Sequence, residues 1–208
     1  LMQAAGLLLY GEGVWAIRLT SAFVGLLTVA AAYWAASECL RDLPRSTRQI
    51  AALGAAITIA VAIGHVTVTR STYRAVPQPL LMLLMTGFLM RGLRLSQWRD
   101  FALAGLFGAL GVYTYTAAYV IPMGLGPLGL HLLISRRQRW RIWLPRLIVA
   151  GVVILLLVLP VILIAMQTPE AVLGRAATVS EGRFNLQSRL STLIAMFFSN
   201  GDENPQYN

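Results

Sequence analysis

The sequence predicts an all-α fold, a polytopic integral membrane helix bundle of about six spans plus a partial one. Of its 208 residues, 57% are hydrophobic and the mean hydropathy is +0.68, whereas soluble domains are about 45–50% apolar. All 17 basic residues are arginines, and they fall between long apolar runs. Scattered clusters of this kind are typical of topology signals and lipid contacts. We therefore expect a lipid bilayer as a partner and no nucleic acid.

The uncharged runs define the predicted helices, because about 20 residues at 1.5 Å each cross the hydrocarbon core of a bilayer. In chain order the predicted segments are a partial helix at 1–9 and spans at 14–40, 49–69, 75–90, two within 101–135, and 147–169. The run at 75–90 has only 16 residues. Pro77 and Pro79 are therefore expected to begin this helix at the membrane interface.

The run at 101–135 is uncharged for 35 residues, which is too long for one span. If it formed a single helix, the arginine clusters at 91–99 and 136–146 would lie on opposite sides of the membrane. The positive-inside bias disfavours that arrangement. Two helices, with a break between Tyr113 and Pro122, would place both clusters on the cytoplasmic side.

This alternation places most of the arginines on one face of the plasma (inner) membrane. The predicted cytoplasmic arginines are Arg41, Arg45, Arg48, Arg91, Arg94, Arg99, Arg136, Arg137, Arg139, Arg141 and Arg146. Residues 64–79 and everything after Pro169 are then extracytoplasmic. The predicted domains are a transmembrane helix bundle at 1–169 and an extracytoplasmic segment at 170–208. In that segment, apolar residues at helical spacing predict an amphipathic surface helix.

The extracytoplasmic stretch 64–79 contains the best candidate site. Arg70 and Arg74 lie four residues apart at the outer end of a predicted span. A guanidinium keeps its charge and presents a planar fork of donors that suits phosphate, so the pair is predicted to bind a phosphate. The alternative is that both arginines reach outer-leaflet headgroups or pair with acids elsewhere. His65 and Tyr73 are possible substrate contacts, although His65 also fits a polar interfacial residue.

Two further groups are possible substrate contacts. Tyr113 and Tyr115 could stack on a sugar ring, although tyrosines near span ends also form interfacial belts. Asp202 and Glu203 could hold a divalent cation through their oxygens, but a solvated turn is the alternative. No other cofactor and no metal site is expected, since Cys39 is a single cysteine and no Ser/His/Asp order, phosphate loop, HExxH or CxxC pattern occurs. The catalytic residues are not identified by these patterns.

Four phrases, taken in order, resemble a known family. They are GEGVWAIRLTSAFVGLLTVAAAYWAA, HVTVTRSTYRAVPQPLL, LGVYTYTAAYVIP and MFFSNGDENPQYN. Together they resemble the bacterial dolichyl-phosphate-mannose-protein mannosyltransferase-like group of GT-C membrane glycosyltransferases, which includes the lipid A aminoarabinose transferases. The last phrase departs from the family pattern at Gln206 and Tyr207, where a basic residue and a histidine are more usual. The resemblance implies an integral membrane enzyme that passes a sugar from a polyprenyl-phosphate donor to an acceptor on the outer face.

The resemblance also implies roles for particular residues. It gives Arg70 and Arg74 a lipid-phosphate role, and it gives the segment ending GDENPQYN an acceptor or donor-lid role. The family's catalytic acid lies in the first outer loop, which would precede Leu1, so the chain is expected to be an inactive fragment without its base. Two other readings stay open: a transporter or lipid flippase, in which buried charges mark the path, and a non-catalytic membrane subunit.

Overall fold

The structure is a computed structural model that describes Gly11 and residues 14–70, 75–114 and 140–167. Over these residues all the regular structure is helical, which confirms the predicted all-α class. The helices are α1 (Val14–Cys39), α2 (Arg45–Val61), α3 (Ile63–Arg70), α4 (Pro77–Leu95), α5 (Trp98–Thr114) and α6 (Trp140–Gln167). Two of these six, α1 and α6, contain stretches long and apolar enough to cross a membrane, Trp15–Cys39 and Arg141–Ile164.

The helices occur in the predicted order, but two of them extend past the arginines that were predicted to mark their ends. α4 begins at Pro77 as predicted, because a proline in the first turn lacks only an N–H that would have no helical partner. It continues past Met90 to Leu95. α6 begins at Trp140 rather than at the predicted Leu147. The long apolar stem of arginine is compatible with a helix, so an uncharged run underestimates helix length.

The predicted span at 49–69 is not a single helix. The chain leaves the helical conformation at Ala62, which is extended with φ −63° and ψ 116°. Its N–H donates to the carbonyl of Ile59 at 3.3 Å, and its own carbonyl accepts from Val66 at 3.0 Å as α3 begins. The break allows α3 to turn and lie against α1. No proline marks this position in the sequence.

The contacts between helices define two ends of the bundle. Arg94 of α4 pairs with Glu38 near the C-terminal end of α1, and the Trp143 indole of α6 donates to the Leu93 carbonyl at 2.9 Å. Near the other end of α5, the Tyr113 hydroxyl donates to the Leu157 carbonyl of α6 at 2.5 Å. We call the first end the arginine-rich end and the second the opposite end. α5 and α6 therefore run in the same direction.

This shared direction bears on the arginine clusters that flank residues 101–135. The cluster at 91–99 and the described arginines Arg141 and Arg146 lie at the same end of the bundle, as two crossings of the 101–135 run require. α5 forms the first of the two predicted helices. The second lies outside the described residues, as does the predicted amphipathic helix.

Small residues allow the helices to approach closely, as is common between membrane helices. A Cβ added to Gly87 of α4 would lie 2.3 Å from the Trp34 ring of α1, and one added to Gly105 of α5 would lie 2.6 Å from the Ala150 carbonyl of α6. Phe101 is fully buried at the start of α5, in a cluster with Leu93. The cluster also contains Trp143 and Ala150, so it joins α4, α5 and α6 at the arginine-rich end.

By its internal contacts the chain divides into two compact units, Leu1–Leu157 and Val158–Asn208. All the contacts described here belong to the first unit. The described part of the second unit is the C-terminal part of α6. The predicted domain boundary after residue 169 lies outside the described residues and stays a prediction.

Candidate functional site

The candidate site begins with the seating of α3 on α1. A Cβ added to Gly25 would lie 2.7 Å from Cγ2 of Thr69, a distance at which one of the two must move. The Thr69 hydroxyl donates within α3 to the carbonyls of His65 at 3.0 Å and Val66 at 2.9 Å. The absence of a side chain at residue 25 therefore fixes how near α3 approaches α1.

His65 faces the same contact. Its side chain is half-buried, and its Nε2 would lie 3.7 Å from a Cβ at Gly25. The imidazole therefore lies beside α1 rather than free in solvent, which suits a packing or positioning role. The proposed substrate contact at His65 stays a prediction.

Arg70 is the last residue of α3, and its side chain lies outside the described part of the structure. Tyr73 and Arg74 fall in the segment 71–74, which is also outside the described residues. The five peptide links from Arg70 to Ala75 span at most about 18 Å, which bounds the distance between the end of α3 and the residues before α4. The predicted phosphate clamp thus belongs to the connection between α3 and α4.

The start of α4 is anchored where this connection ends. Val76 is only 1% exposed, and the Gln78 N–H donates to the Ala75 carbonyl at 2.9 Å. The Gln78 side-chain oxygen accepts a hydrogen bond from the Thr114 hydroxyl at the C-terminal end of α5. The connection from Arg70 therefore arrives at a fixed point at the opposite end of the bundle.

Tyr113 lies at the same end but has a structural partner. Its hydroxyl donates a hydrogen bond to the Leu157 carbonyl, and the residue is 53% exposed. An exposed ring held by its hydroxyl is compatible with either an interfacial belt or stacking on a ligand. Tyr115, Asp202 and Glu203 lie outside the described residues.

The described acidic residues lie at only one end of the bundle, which bears on whether Arg70 could form an ion pair. The acids that the structure describes are Glu38, Asp42 and Asp100, and all three lie at the arginine-rich end. None of these described carboxylates is available to neutralise a cation at the opposite end. This weakens, for the described part of the chain, the alternative in which Arg70 pairs with an acid.

No described group offers a metal centre. Among the described residues there is no cluster of three or more His, Cys, Asp or Glu side chains. The divalent cation predicted at Asp202 and Glu203 stays a prediction.

Sequence reasoning missed the network at the arginine-rich end. Glu38 accepts from Arg94 at 2.5 Å and lies 3.8 Å from Arg41. Arg91 lies 3.6 Å from the buried Asp100, close enough for an ion pair but not for a hydrogen bond. The signal was present, because Glu38 and Asp100 are isolated acids at the ends of apolar runs. The sequence does not say which arginine each one meets.

Comparison with known protein families gives one match. Residues 1–164 match the family described as dolichyl-phosphate-mannose-protein mannosyltransferase. The matched region includes α1 to α5 and nearly all of α6, so it contains both ends of the bundle. No curated protein and no solved structure matches the chain.

Proposed function

The chain belongs to the dolichyl-phosphate-mannose-protein mannosyltransferase family, and we propose that it transfers a sugar from a polyprenyl-phosphate donor to an acceptor on the extracytoplasmic face of the plasma membrane. Membership makes it a membrane protein of a glycosyltransferase type that uses lipid-linked sugars. We further propose that transfer takes place on the extracytoplasmic face and that particular residues of this chain contact the carrier phosphate. The family match favours this function over a transporter, a flippase or a non-catalytic subunit.

The proposed reaction is a displacement at the anomeric carbon. The acceptor oxygen bonds to that carbon as the bond to the carrier phosphate oxygen breaks, and the acceptor proton passes to a carboxylate base. The carrier phosphate changes from a diester with one negative charge to a monoester with up to about two. A cation beside it therefore binds the leaving group more strongly than the donor, which accelerates the reaction.

Arg70 and Arg74 are proposed to supply that positive charge. The observation that carries the assignment is the position of Arg70 at the end of α3, which Gly25 seats against α1. The connection then continues to the buried Val76 at the start of α4. Arg70 therefore ends a helix that is seated on α1, Arg74 follows it by four residues in the sequence, and none of the described acids lies at that end.

The test is sugar transfer from a polyprenyl-phosphate sugar by the purified, intact protein. We expect Arg70→Ala and Arg74→Ala each to lower kcat about a hundredfold or more, as removal of one stabilising donor from a developing anion commonly does. Arg70→Lys keeps the charge but not the planar fork, so it should retain part of the activity.

Arg45→Ala is the matched control. It removes the same charge from an exposed position in the first turn of α2, at the arginine-rich end, and should leave kcat within about twofold. If both outer-arginine variants turn over at the rate of the control, the phosphate assignment is wrong. If the unmodified protein moves lipid-linked sugar across a membrane without transferring it, the transporter reading replaces the enzyme.

A further inference from the structure

Arg146 is one of the half-buried arginines at the arginine-rich end, and its described side-chain partner is an aromatic ring. Arg91 and Arg94 both lie within ion-pair distance of a carboxylate. The Arg146 guanidinium lies over the ring of Trp98, with Cζ 4.9 Å from the ring centroid.

The position of Arg146 along α6 places its charge near the membrane surface. The membrane-crossing stretch of α6 begins at Arg141, so Arg146 lies about 7.5 Å further along the helix. Side chains on a helix lean toward its N-terminus, and Nη1 of Arg146 donates back to the Ile142 carbonyl. The guanidinium is thus drawn toward the membrane surface, to the depth at which lipid phosphates lie.

The surroundings of Arg146 match the two chemical parts of a phospholipid. The contact with Trp98 holds the guanidinium group in place, and one Nη1 hydrogen is taken by the Ile142 carbonyl. The remaining Nη hydrogens are the donors that could reach a phosphate. Trp98 is 49% exposed and Ile142 is 46% exposed, so apolar surface lies beside the charge. Tryptophan at the end of a membrane helix is itself typical of the headgroup region.

The net charge of this end selects among phospholipids. The described residues here carry eight arginines against three acids, a surplus of five positive charges. The described arginines are Arg41, Arg45, Arg48, Arg91, Arg94, Arg99, Arg141 and Arg146. Such a surplus attracts headgroups with a net negative charge and not zwitterionic ones.

We propose that Arg146, held on Trp98, binds the phosphate of an anionic phospholipid at the arginine-rich end, as a site separate from the donor site proposed at Arg70 and Arg74. Arg146 and Trp98 belong to different helices, α6 and α5. A lipid bound there would join the two helices at the end where Trp143 already contacts Leu93. The inference does not depend on the proposed transferase activity.

The test is a lipid titration of the purified intact protein in detergent, read as retained lipid by native mass spectrometry and as the midpoint of thermal unfolding. The probes are phosphatidylglycerol, phosphatidylcholine and inorganic phosphate. We expect phosphatidylglycerol to bind and to raise the unfolding midpoint, and Arg146→Gln to weaken that binding roughly tenfold to a hundredfold. Arg45→Gln removes the same charge from α2 and should change the binding by less than about twofold.

Three results would overturn the proposal. Equal losses in Arg146→Gln and Arg45→Gln would mean that the whole basic end attracts lipid without a site. Equal protection by phosphatidylcholine would remove the anionic preference, and equal protection by inorganic phosphate would make this a free-anion site. If Arg146→Gln does not fold, Arg146→Lys is compared with Arg45→Lys instead. Arg146→Lys should bind phosphatidylglycerol several-fold more weakly, because it loses the planar guanidinium group held on Trp98. Arg45→Lys should not.

Discussion

Gly25 is the residue on which the position of α3 depends. Thr69 cannot easily move away from an added methyl group, because it is β-branched and its hydroxyl is bonded to two carbonyls of its own helix. We therefore expect Gly25→Ala to destabilise the protein by about 1–3 kcal/mol. The same displacement of α3 should weaken donor binding at Arg70. Thermal unfolding in detergent and the KM for the lipid-linked sugar measure the two effects.

Two companion variants separate this contact from the general effect of adding a methyl group to a helix. Thr69→Ser removes the Cγ2 atom that lies 2.7 Å from the added Cβ but keeps the hydroxyl, so it should restore most of the stability lost in Gly25→Ala. Gly54→Ala meets no atom within 4 Å and should be neutral or stabilising by up to about 1 kcal/mol. A Gly25→Ala protein as stable as Gly54→Ala would contradict the account.

Candidate binding residues could be predicted from the sequence, but the residues that they contact in the fold could not. The donor fork of Arg70 suggests a phosphate ligand from the sequence alone, because that property belongs to the side chain itself. The contact between Gly25 and Thr69 could not be predicted, since it joins residues on separate helices with no periodic or charge signal between them. The same holds for Trp143, whose indole satisfies the Leu93 carbonyl in the last turn of α4, where no helical donor remains.

At the scale of elements, the turn between α4 and α5 contains a strained residue. Ser96 has φ 55° and ψ 33°, the left-handed conformation that a glycine adopts without steric cost. Its N–H donates to the Gly92 carbonyl at 2.7 Å, which ends α4. We expect Ser96→Gly to stabilise the protein by about 0.5–1 kcal/mol, measured as a higher midpoint of thermal unfolding.

The neighbouring residue provides the control for this turn. Gln97 has no positive φ, so Gln97→Gly adds flexibility to the unfolded chain without relieving strain and should lower the midpoint. Equal shifts for the two glycine variants would show that the left-handed geometry at Ser96 has no energetic cost. A serine there gave no sequence signal for a helix end, because serine fits many turns and helix starts.

Helix order was predictable and helix bounds were not. Long apolar runs and the prolines at the start of α4 identified the elements, since burial in lipid and the missing proline N–H act locally. The break at Ala62 precedes the seating of α3 against Gly25, a tertiary contact that no local sequence pattern marks. For the same reason the early start of α6 was missed, because Trp143 and Arg146 are held by α4 and α5.

At the scale of the whole molecule, the distribution of charge predicts its orientation. All three described acids and eight arginines lie at one end of the bundle, and that end should face the cytoplasm under the positive-inside rule. The contacts of α5 and α6 show that the arginines on both sides of the 101–135 run share that end.

Cysteine labelling decides the orientation. In a Cys39→Ser background, which removes the single native thiol, Ser46→Cys places a thiol at the exposed start of α2 and Ala75→Cys places one beside the connection that contains Arg74. With a membrane-impermeant maleimide in right-side-out vesicles, we expect the thiol at residue 75 to react at once. The thiol at residue 46 should react only after permeabilisation. The reverse pattern would put Arg70 and Arg74 in the cytoplasm, and would remove them from the proposed outer-face chemistry while leaving the proposed lipid contact of Arg146 in place.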